Sequence, residues 1–272
     1  MDTCHVTDID ASGLPRYSRT GRGAPMLLIH GIGHRHQMWD PVIPILAEHF
    51  DTVSIDLPGF GESDPLGDGD VPTPARLADR VELVMDELGW SSAHLVGNSL
   101  GGWLSLVLAR RGRATSVCAL MPAGLWRSTG GTARVRRQVL FSLWTNGSRL
   151  PGAGFLLRRS LLRTIGLFGL FGRPWRIPPA VAADDARNLA TCDFDRTMAA
   201  LEGTRFGGGA DVDVPITVVF GGRDPLIRAA ETDLGELPSL VAVVAHKHLG
   251  HVPTWDDPEL VADLITGSTT TS

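Results

Sequence analysis

The sequence has little of several features that would assign it to a specialised class of protein. Of its 272 residues only three are cysteine, at positions 4, 118 and 192, and no two of them have the C-x-x-C spacing of a zinc or redox pair. No run reaches about 18 apolar residues, so we predict no membrane span. Residues 1–5 lack the basic flank and the apolar run of a secretory signal, and we therefore expect a cytoplasmic protein.

Lysine is almost absent, and the net charge is small. Lys247 is the only lysine, and the formal net charge is −5 at pH 7, which argues against a general nucleic-acid-binding protein. The sequence contains no Walker-type loop and no dinucleotide-binding fingerprint, so we expect no bound cofactor. The charge is unevenly distributed, because residues 125–176 contain ten arginines and no Asp or Glu. This asymmetry bears on partners and electrostatic steering rather than on the fold.

What the sequence does contain is a regular alternation of strand-like and helix-like segments. Hydrophobic residues make up 43% of the chain, which is enough for a sizeable core. Short apolar runs predict strands, and apolar residues at intervals of three and four predict helices. The predicted strands are residues 26–30, 52–56, 94–96, 116–121, 215–220 and 240–245, and the predicted helices are 75–88, 100–110, 257–265 and the later part of 37–50. This order predicts an α/β fold with a mostly parallel central sheet flanked by helices.

The alternation is interrupted by one long segment. Strands of a single pattern lie on both sides of residues 125–205, so we interpret this segment as an insertion into one sheet. The sequence therefore predicts a core formed by residues 1–124 and 206–272 and an inserted subdomain formed by residues 125–205.

The first candidate for chemistry is a G-x-S-x-G motif centred on Ser99. Residues 97–101 read GNSLG, and they lie directly after a predicted strand and at the start of a predicted helix. A sharp turn at this place crowds the backbone, and glycines two residues before and after the serine avoid collisions of Cβ atoms. We expect Ser99 to project its hydroxyl above the sheet, beside the positive end of the following helix.

A serine nucleophile needs a general base and a group that orients the base. Two later segments supply candidates beyond the carboxyl ends of predicted strands: Asp224 in GGRDP at residues 221–225 and His251 in GHVP at residues 250–253. Taken separately, each has an ordinary interpretation as a turn aspartate or a loop histidine. Taken with Ser99 and in this order, they predict a nucleophile, an acid and a base.

The oxyanion that forms when a serine attacks a carbonyl needs two hydrogen-bond donors. The segment HGIG at residues 30–33 follows a predicted core strand and can turn backbone N–H groups toward the site. We predict the N–H groups of Ile32 and Leu100 as the donors, and Gly33 stays open as an alternative to Ile32.

Together these segments resemble those of the α/β-hydrolase fold family. The matching segments are HGIG (30–33), DLPGFGES (56–63), GNSLGG (97–102), GGRDP (221–225) and GHVPTW (250–255), in the order found in that family. The resemblance implies the fold, the catalytic triad of Ser99, Asp224 and His251, and a helical cap, inserted after the sixth strand, that covers the active site. Epoxide hydrolases and haloalkane dehalogenases of this family have an aspartate as nucleophile, so the serine at position 99 argues against those activities.

The resemblance leaves the substrate open, because this fold hosts many activities. We favour a serine hydrolase that cleaves a small or medium apolar carboxylic ester, lactone or thioester through an acyl-enzyme on Ser99. The alternatives are a carbon–carbon bond hydrolase of the meta-cleavage product type, a non-hydrolytic lyase or cyclase, and a ligand receptor. The carbon–carbon hydrolases resemble the chain at Asn98, but an aromatic residue often stands where this chain has Val252. We expect Gly33, His34, Asn98 and Val252 to lie at the pocket.

Two H-x-H pairs, at residues 34–36 and 246–248, invite interpretation as metal ligands. Neither pair has an interleaved carboxylate, so we predict no metal site. We expect one histidine of the first pair either at the pocket wall or in a solvated loop.

The insertion carries a basic amphipathic pattern. Residues 155–163 read FLLRRSLLR, and residues 166–172 read GLFGLFG. Either the apolar side chains pack the insertion onto the core while the arginines are solvated, or they line an acyl pocket and the arginines attract an anionic substrate or a lipid surface. The partner that we expect is a small apolar substrate.

Overall fold

A seven-stranded, mostly parallel sheet forms the centre of the protein. The computed structural model describes residues 13–127 and 131–269. The strands are β1 (Tyr17–Thr20), β2 (Ala24–Ile29), β3 (Phe50–Ile55), β4 (Ala93–Asn98), β5 (Ala114–Leu120), β6 (Ile216–Gly221) and β7 (Ala242–His246). They lie side by side in the order β1, β3, β2, β4, β5, β6, β7. Strand β1 is antiparallel to β3, and the other neighbours are parallel.

Helices flank the sheet, and five further helices lie in the described part of the chain segment that connects β5 to β6. The helices of the described residues are α1 (Ile43–Leu46), α2 (Pro74–Glu87), α3 (Leu100–Arg110), α4 (Gly131–Ser148), α5 (Ala153–Leu156), α6 (Ser160–Gly166), α7 (Pro179–Thr191), α8 (Phe194–Leu201) and α9 (Pro258–Gly267). Short 3-10 turns occur at His36–Trp39, Pro174–Arg176 and Ala229–Glu231. Helix α3 packs on β4 and β5, and α2 packs on α3.

Local sequence explains these elements. Every residue of β3 is buried, as expected for an inner strand that is covered on both faces. Helix α2 begins where the Oγ1 atom of Thr73 accepts a hydrogen bond from the N–H of Arg76 at 3.3 Å, and Pro74 occupies its first turn. Both features are typical of helix N-termini.

The predicted strands and the three long predicted helices correspond to β2–β7, α2, α3 and α9. Strand β1 was not predicted, because YSRT has only four residues and no apolar run. The helix predicted in the later part of 37–50 is only the single turn of α1, since Pro41 and Pro44 limit regular helix there.

The segment between β5 and β6 contains α4–α8, within residues 131–201. Five described strands precede it, so the predicted insertion after a sixth strand is not confirmed within the described residues. The boundaries at 124/125 and 205/206 stay predictions. Three parts of those ranges lie outside the described residues: 1–12, 128–130 and 270–272. The first of them contains residues 1–5, on which the prediction of no secretory signal rests.

The helices of the described residues are too short or too polar to span a membrane. Within residues 13–127 and 131–269, no helix combines the length and the apolar character needed to cross a bilayer. The long helix α4 has 18 residues, but three of them are arginine. The predicted cytoplasmic location stays a prediction.

Candidate active site

The serine of the GNSLG motif lies at a strained turn between β4 and α3. Ser99 has φ 54° and ψ −112°, a conformation that non-glycine residues rarely adopt. Hydrogen bonds hold its backbone on both sides: its N–H donates to the carbonyl of Leu120 at 2.9 Å, and its carbonyl accepts from the N–H of Ala123 at 2.9 Å. The turn therefore fixes Ser99 at the carboxyl edge of the sheet, immediately before α3.

The two glycines of the motif allow three backbone segments to come together. A Cβ atom on Gly97 would lie 2.1 Å from the carbonyl oxygen of Gly101, and a Cβ atom on Gly101 would lie 2.0 Å from that of Ile29. Both distances are far shorter than van der Waals contact, so a side chain at either position would push α3 away from β2 or β4. As expected from the sequence, glycine is required two residues before and two residues after Ser99 because a Cβ atom at either position would collide with the backbone.

Asp224 and His251 lie beyond the carboxyl ends of β6 and β7, and they contact each other. The Nδ1 atom of His251 is 2.8 Å from the Oδ2 atom of Asp224, and both residues are buried. The Oδ1 atom of Asp224 accepts hydrogen bonds from the N–H groups of Leu226 at 2.6 Å and Ile227 at 3.1 Å. Because the fixed carboxylate can only accept, Nδ1 carries the proton in the neutral imidazole, and Nε2 is left with a free electron pair.

Ser99 and His251 line a single cavity of about 440 Å³, which we call the serine cavity. Ile32 and Leu100 line it as well. The rest of the wall includes Trp126, Arg134, Arg137, Phe141, Phe194 and Met198. The structure therefore brings four predicted site residues to one cavity, with Asp224 bonded to the ring of His251.

The loop after β2 forms a tight turn that faces the serine cavity through Ile32. The N–H of His34 donates to the carbonyl of Gly31 at 3.1 Å, and Gly33 has φ 80°, as in a type II turn. Within the described residues, the N–H groups of Ile32 and Leu100 donate no hydrogen bond, and the first residue of a helix has no intrahelical acceptor for its N–H. Gly33 lines a different cavity, so the geometry favours Ile32 as the candidate donor.

His30 holds this loop from behind the cavity. Its Nδ1 atom lies 2.7 Å from the carbonyl of Gly31, and its Nε2 atom accepts from the N–H of Leu57 at 2.9 Å. Complete burial lowers the pKa of His30 to about 4, although the nearby carboxylate of Asp56 opposes this shift. A neutral ring matches the contacts, because one nitrogen must donate and the other must accept.

Asn98 and Val252 do not line the cavities found in the described residues, contrary to our expectation. The Nδ2 group of Asn98 donates to the carbonyl of His251 at 2.8 Å and to that of Leu120 at 3.2 Å. Val252 is fully buried, and its N–H donates to the carbonyl of Leu170 at 2.8 Å. Both residues therefore position the histidine loop from behind and are not part of the cavity wall.

A second cavity, of about 300 Å³, adjoins the serine cavity. Its lining is almost entirely apolar and comes from α4–α7, with Gly33 and His34 at one end, and we call it the apolar cavity. The residues that line both cavities are Ile32, Phe141, Thr145 and Phe194. Burial, with smaller effects of the neighbouring His30 and His251, lowers the pKa of His34 to about 3, so His34 presents a neutral ring to this cavity.

Asp185 of α7 is the acidic residue in the lining of the apolar cavity. Its Oδ1 atom lies 3.5 Å from the Nε atom of Arg35. Burial raises the pKa of Asp185 to about 6, and the guanidinium of Arg35 opposes this rise. The carboxyl group therefore titrates much closer to neutral pH than an exposed aspartate does.

The histidine pairs do not form a metal site in the part of the chain that the structure describes. Among these residues, no group of three or more His, Cys, Asp or Glu side chains is placed to hold a metal ion. His34 lies in the wall of the apolar cavity, whereas the Nδ1 atom of His36 is 3.0 Å from the Oδ2 atom of Asp56. The two side chains of this pair therefore have separate surroundings.

Asn188 of α7 joins the helical segment to the loop after β2, and the sequence analysis missed it. Its Nδ2 group donates to the carbonyl of Gly33 at 2.9 Å, and its Oδ1 atom accepts from the N–H of Gly61 at 3.0 Å. Asparagine is a poor helix former. No individual helix was predicted around residue 188, however, so this signal was not available from the sequence.

Asp256 makes a second connection that the sequence did not indicate. Its Oδ2 atom accepts from the N–H groups of Gly172 at 2.8 Å and Gly250 at 2.7 Å, and its Oδ1 atom accepts from the N–H of Arg173 at 2.6 Å. One buried carboxylate thus ties the connection between α6 and α7 to the loop that carries His251. No local signal distinguishes it from the adjacent Asp257.

Comparison with known proteins gives a consistent family. A family model described as "Alpha/beta hydrolase family" matches residues 26–264. The epoxide hydrolase EphH of Mycobacterium tuberculosis is 31% identical over 201 residues, which cover 71% of this chain and 92% of that protein. A pimeloyl-[acyl-carrier protein] methyl ester esterase of Aeromonas hydrophila is 36% identical over 264 residues, which cover 91% of this chain and 96% of that protein.

The fold is also found among solved structures. Naproxen esterase (carboxylesterase NP) from Bacillus subtilis aligns with a TM-score of 0.74 and 20% sequence identity, covering 97% of this chain and 91% of that chain. The chain therefore belongs to the alpha/beta hydrolase family and is an enzyme of the hydrolase class.

Proposed function

We propose that the protein is a serine hydrolase that cleaves an ester, lactone or thioester of a small or medium apolar carboxylic acid. The observation that carries this proposal is the placement of Ser99 and His251 in one cavity, with the Nδ1 atom of His251 at 2.8 Å from the carboxylate of Asp224. This arrangement leaves Nε2 as the base for the serine hydroxyl.

The proposed reaction has two halves. Nε2 of His251 takes the proton of Ser99 as Oγ forms a bond to the carbonyl carbon, and the C=O electron pair moves to oxygen. The N–H groups of Ile32 and Leu100 stabilise this oxyanion, and Asp224 stabilises the imidazolium. When the electron pair returns, the bond to the leaving group breaks, and His251 gives it the proton. Water then attacks the acyl-enzyme by the same steps and releases the acid.

The cavities support an apolar acyl group. Phe141 and Phe194 separate the serine cavity from the apolar cavity, so an acyl chain on Ser99 has apolar side chains on this side. The nucleophile also supports an acyl substrate over an epoxide. A serine that opened an epoxide would form an ether, which water does not cleave readily, whereas an acyl group forms an ester that water hydrolyses.

The test is a series of p-nitrophenyl esters, from acetate to long acyl chains, with wild-type protein and two serine variants. We expect Ser99→Ala to lower kcat/KM by at least about a thousandfold. Ser142→Ala is the matched control, because Ser142 lines the same cavity on α4, and we expect it to retain activity. The chain length that gives the highest kcat/KM reports the size of the acyl site.

Labelling with a fluorophosphonate separates a wrong ester from a wrong mechanism. If Ser99 is labelled but the protein hydrolyses none of these esters, the serine is activated and the substrate is of another class. That outcome favours the carbon–carbon hydrolase alternative. Absence of labelling in folded protein, or full activity of Ser99→Ala, contradicts the proposal.

A further inference from the structure

The helical segment exposes an unusual amount of apolar surface. Of the fifteen large apolar side chains exposed in the described residues, eleven lie between Val135 and Trp175. Exposed apolar residues that occur singly are ordinary in a folded protein. A concentration of them in one segment is typical of a surface that contacts something apolar.

Five of these side chains share one location, because all of them line the apolar cavity. They are Leu143, Leu150, Leu156, Leu162 and Ile165, and we call them the apolar rim. Each is between 40% and 64% exposed, so the cavity opens to solvent between them. The rim combines residues from α4, from α5 and from α6 with the turn that follows α4.

Unpaired positive charge lies beside the rim. Arg158 and Arg159 are exposed, and within the described residues neither has a carboxylate within ion-pair distance, unlike Arg136 and Arg149 of α4 and its C-terminal turn. Arg158 shares a surface groove with Leu150 of the rim and with Phe155; Glu62 and Asp184 also line this groove, and Asp184 is paired with Arg187. The sequence from residue 125 to residue 176 contains no acidic residue, so nothing within this stretch neutralises these two arginines.

We propose that the apolar rim, with Arg158 and Arg159, docks the protein on the surface of an anionic lipid bilayer. Leucine and isoleucine side chains enter the boundary between headgroups and acyl chains, and the guanidinium groups bind phosphate at headgroup level. In this orientation the apolar cavity opens directly into the acyl-chain region. This docking is independent of the proposed serine chemistry, because no residue of the triad takes part in it.

A second copy of the chain fits this surface less well. In a two-fold symmetric contact both copies contribute the same patch, so four arginines would enter one interface to which the apolar rim adds no acidic residue. A phosphate-rich surface supplies the opposite charge that these groups lack. Charge complementarity therefore favours the lipid surface.

The experiment measures co-sedimentation of the protein with vesicles of phosphatidylcholine alone and of phosphatidylcholine mixed with phosphatidylglycerol. Ser99→Ala serves as the reference protein, so that no vesicle lipid is hydrolysed. We expect binding to the phosphatidylglycerol vesicles, with weaker binding as salt increases. Leu143→Ser and Ile165→Ser should each lower the partition coefficient about tenfold, and Arg158→Gln should lower it about fivefold.

Leu240→Ser is the matched control, because Leu240 is 94% exposed and lies outside the helical segment; we expect unchanged binding. Equal binding to both kinds of vesicle, binding to neither, or binding that the rim variants leave unchanged overturns the proposal. So does a concentration-dependent dimer in analytical ultracentrifugation that Leu143→Ser abolishes. Wild-type esterase activity in the soluble assay is measured separately, so failure of docking and failure of the proposed function are distinguishable.

Discussion

The two halves of the helical segment differ in what they bury. In the inner half, α7 and α8, the buried residues are Ala182, Ala183, Ala186, Phe194 and Thr197. In the outer half, α4–α6, the buried residues are only Thr145 and Arg163 among those described. One continuous stretch of chain therefore has one half with an apolar buried face and another whose apolar side chains are largely exposed.

The halves also differ in their polar contacts with the rest of the molecule. In the inner half, Asn188 binds the loops at Gly33 and Gly61, and Arg196 donates to the carbonyls of Leu66 and Gly67, both at 3.1 Å. In the outer half, α4 and α5 pack mainly on α7, and Arg136 of α4 donates to the carbonyl of Pro225 at 2.5 Å and pairs with the carboxylate of Glu231. The inner half thus contacts the loops beside the site, whereas the outer half is attached through α7 and Arg136 and exposes much of its apolar surface.

The largest expected contrast comes from removing one phenyl ring in each half. Phe194 is 5% exposed and Phe155 is 65% exposed. Phe194→Ala removes a buried ring that packs against Phe141 and is expected to lower the free energy of unfolding by about 3–5 kcal/mol. Phe155→Ala should change it by less than about 0.5 kcal/mol. Urea unfolding curves measure both, and similar losses for the two variants would remove the distinction between the halves.

A smaller effect is expected where the connection between α6 and α7 contacts the histidine loop. Asp256→Ala leaves three N–H groups without their acceptor, two of them buried with Asp256 itself, and should lower the free energy of unfolding by about 3 kcal/mol. Because Gly250 precedes His251, kcat of the active enzyme should fall as well. Asp257→Ala, the adjacent residue with one ion pair to Arg173 at 3.3 Å, should cost less than about 1 kcal/mol. Equal losses contradict the role of Asp256.

The smallest expected effect is on the pH dependence of the free energy of unfolding, and it arises from Asp185 in the lining of the apolar cavity. Burial raises the pKa of Asp185 to about 6, above about 3.9 in an unfolded chain. The folded protein therefore binds this proton more tightly, and the resulting stability is present below pH about 4 and is lost as pH rises through about 6.

Asp185→Asn removes that dependence. The fall in the free energy of unfolding between pH about 4 and pH about 7 should become smaller by about 1–2 kcal/mol. Asp184→Asn, in the same turn with a side chain that is 39% exposed, controls for the loss of one carboxylate. An identical pH profile for wild type and Asp185→Asn disproves the titration of Asp185 in this range.

The sequence was sufficient to predict six of the seven described strands and the residues at the carboxyl edge of the sheet. Strands such as β3 are short apolar runs, and the carboxyl ends of parallel strands meet at one edge, so Ser99, Asp224 and His251 could be expected to lie near one another. The GNSLG spacing carries its own steric reason, which the distances at Gly97 and Gly101 show. The sequence pattern therefore predicts the position of a residue where that position follows directly from the strand or turn in which it lies.

The sequence was insufficient where a side chain's surroundings depend on distant segments. Asn98 and Val252 were expected at the pocket, but their contacts are with Leu120, His251 and Leu170, which no local pattern indicates. The amphipathic pattern of residues 155–163 likewise defines an apolar face without defining what covers it. In the structure Leu157 packs against the core, whereas Leu161 is exposed.

The strained turn at Ser99 has a consequence for how this enzyme can change. Its φ of 54° is a conformation that glycine adopts at little cost and that other residues adopt with strain of about 1–3 kcal/mol. The hydroxyl is therefore held in place at the expense of folding stability. We expect a search for more stable variants that ignores activity to favour glycine at position 99, whereas the proposed mechanism requires the serine hydroxyl.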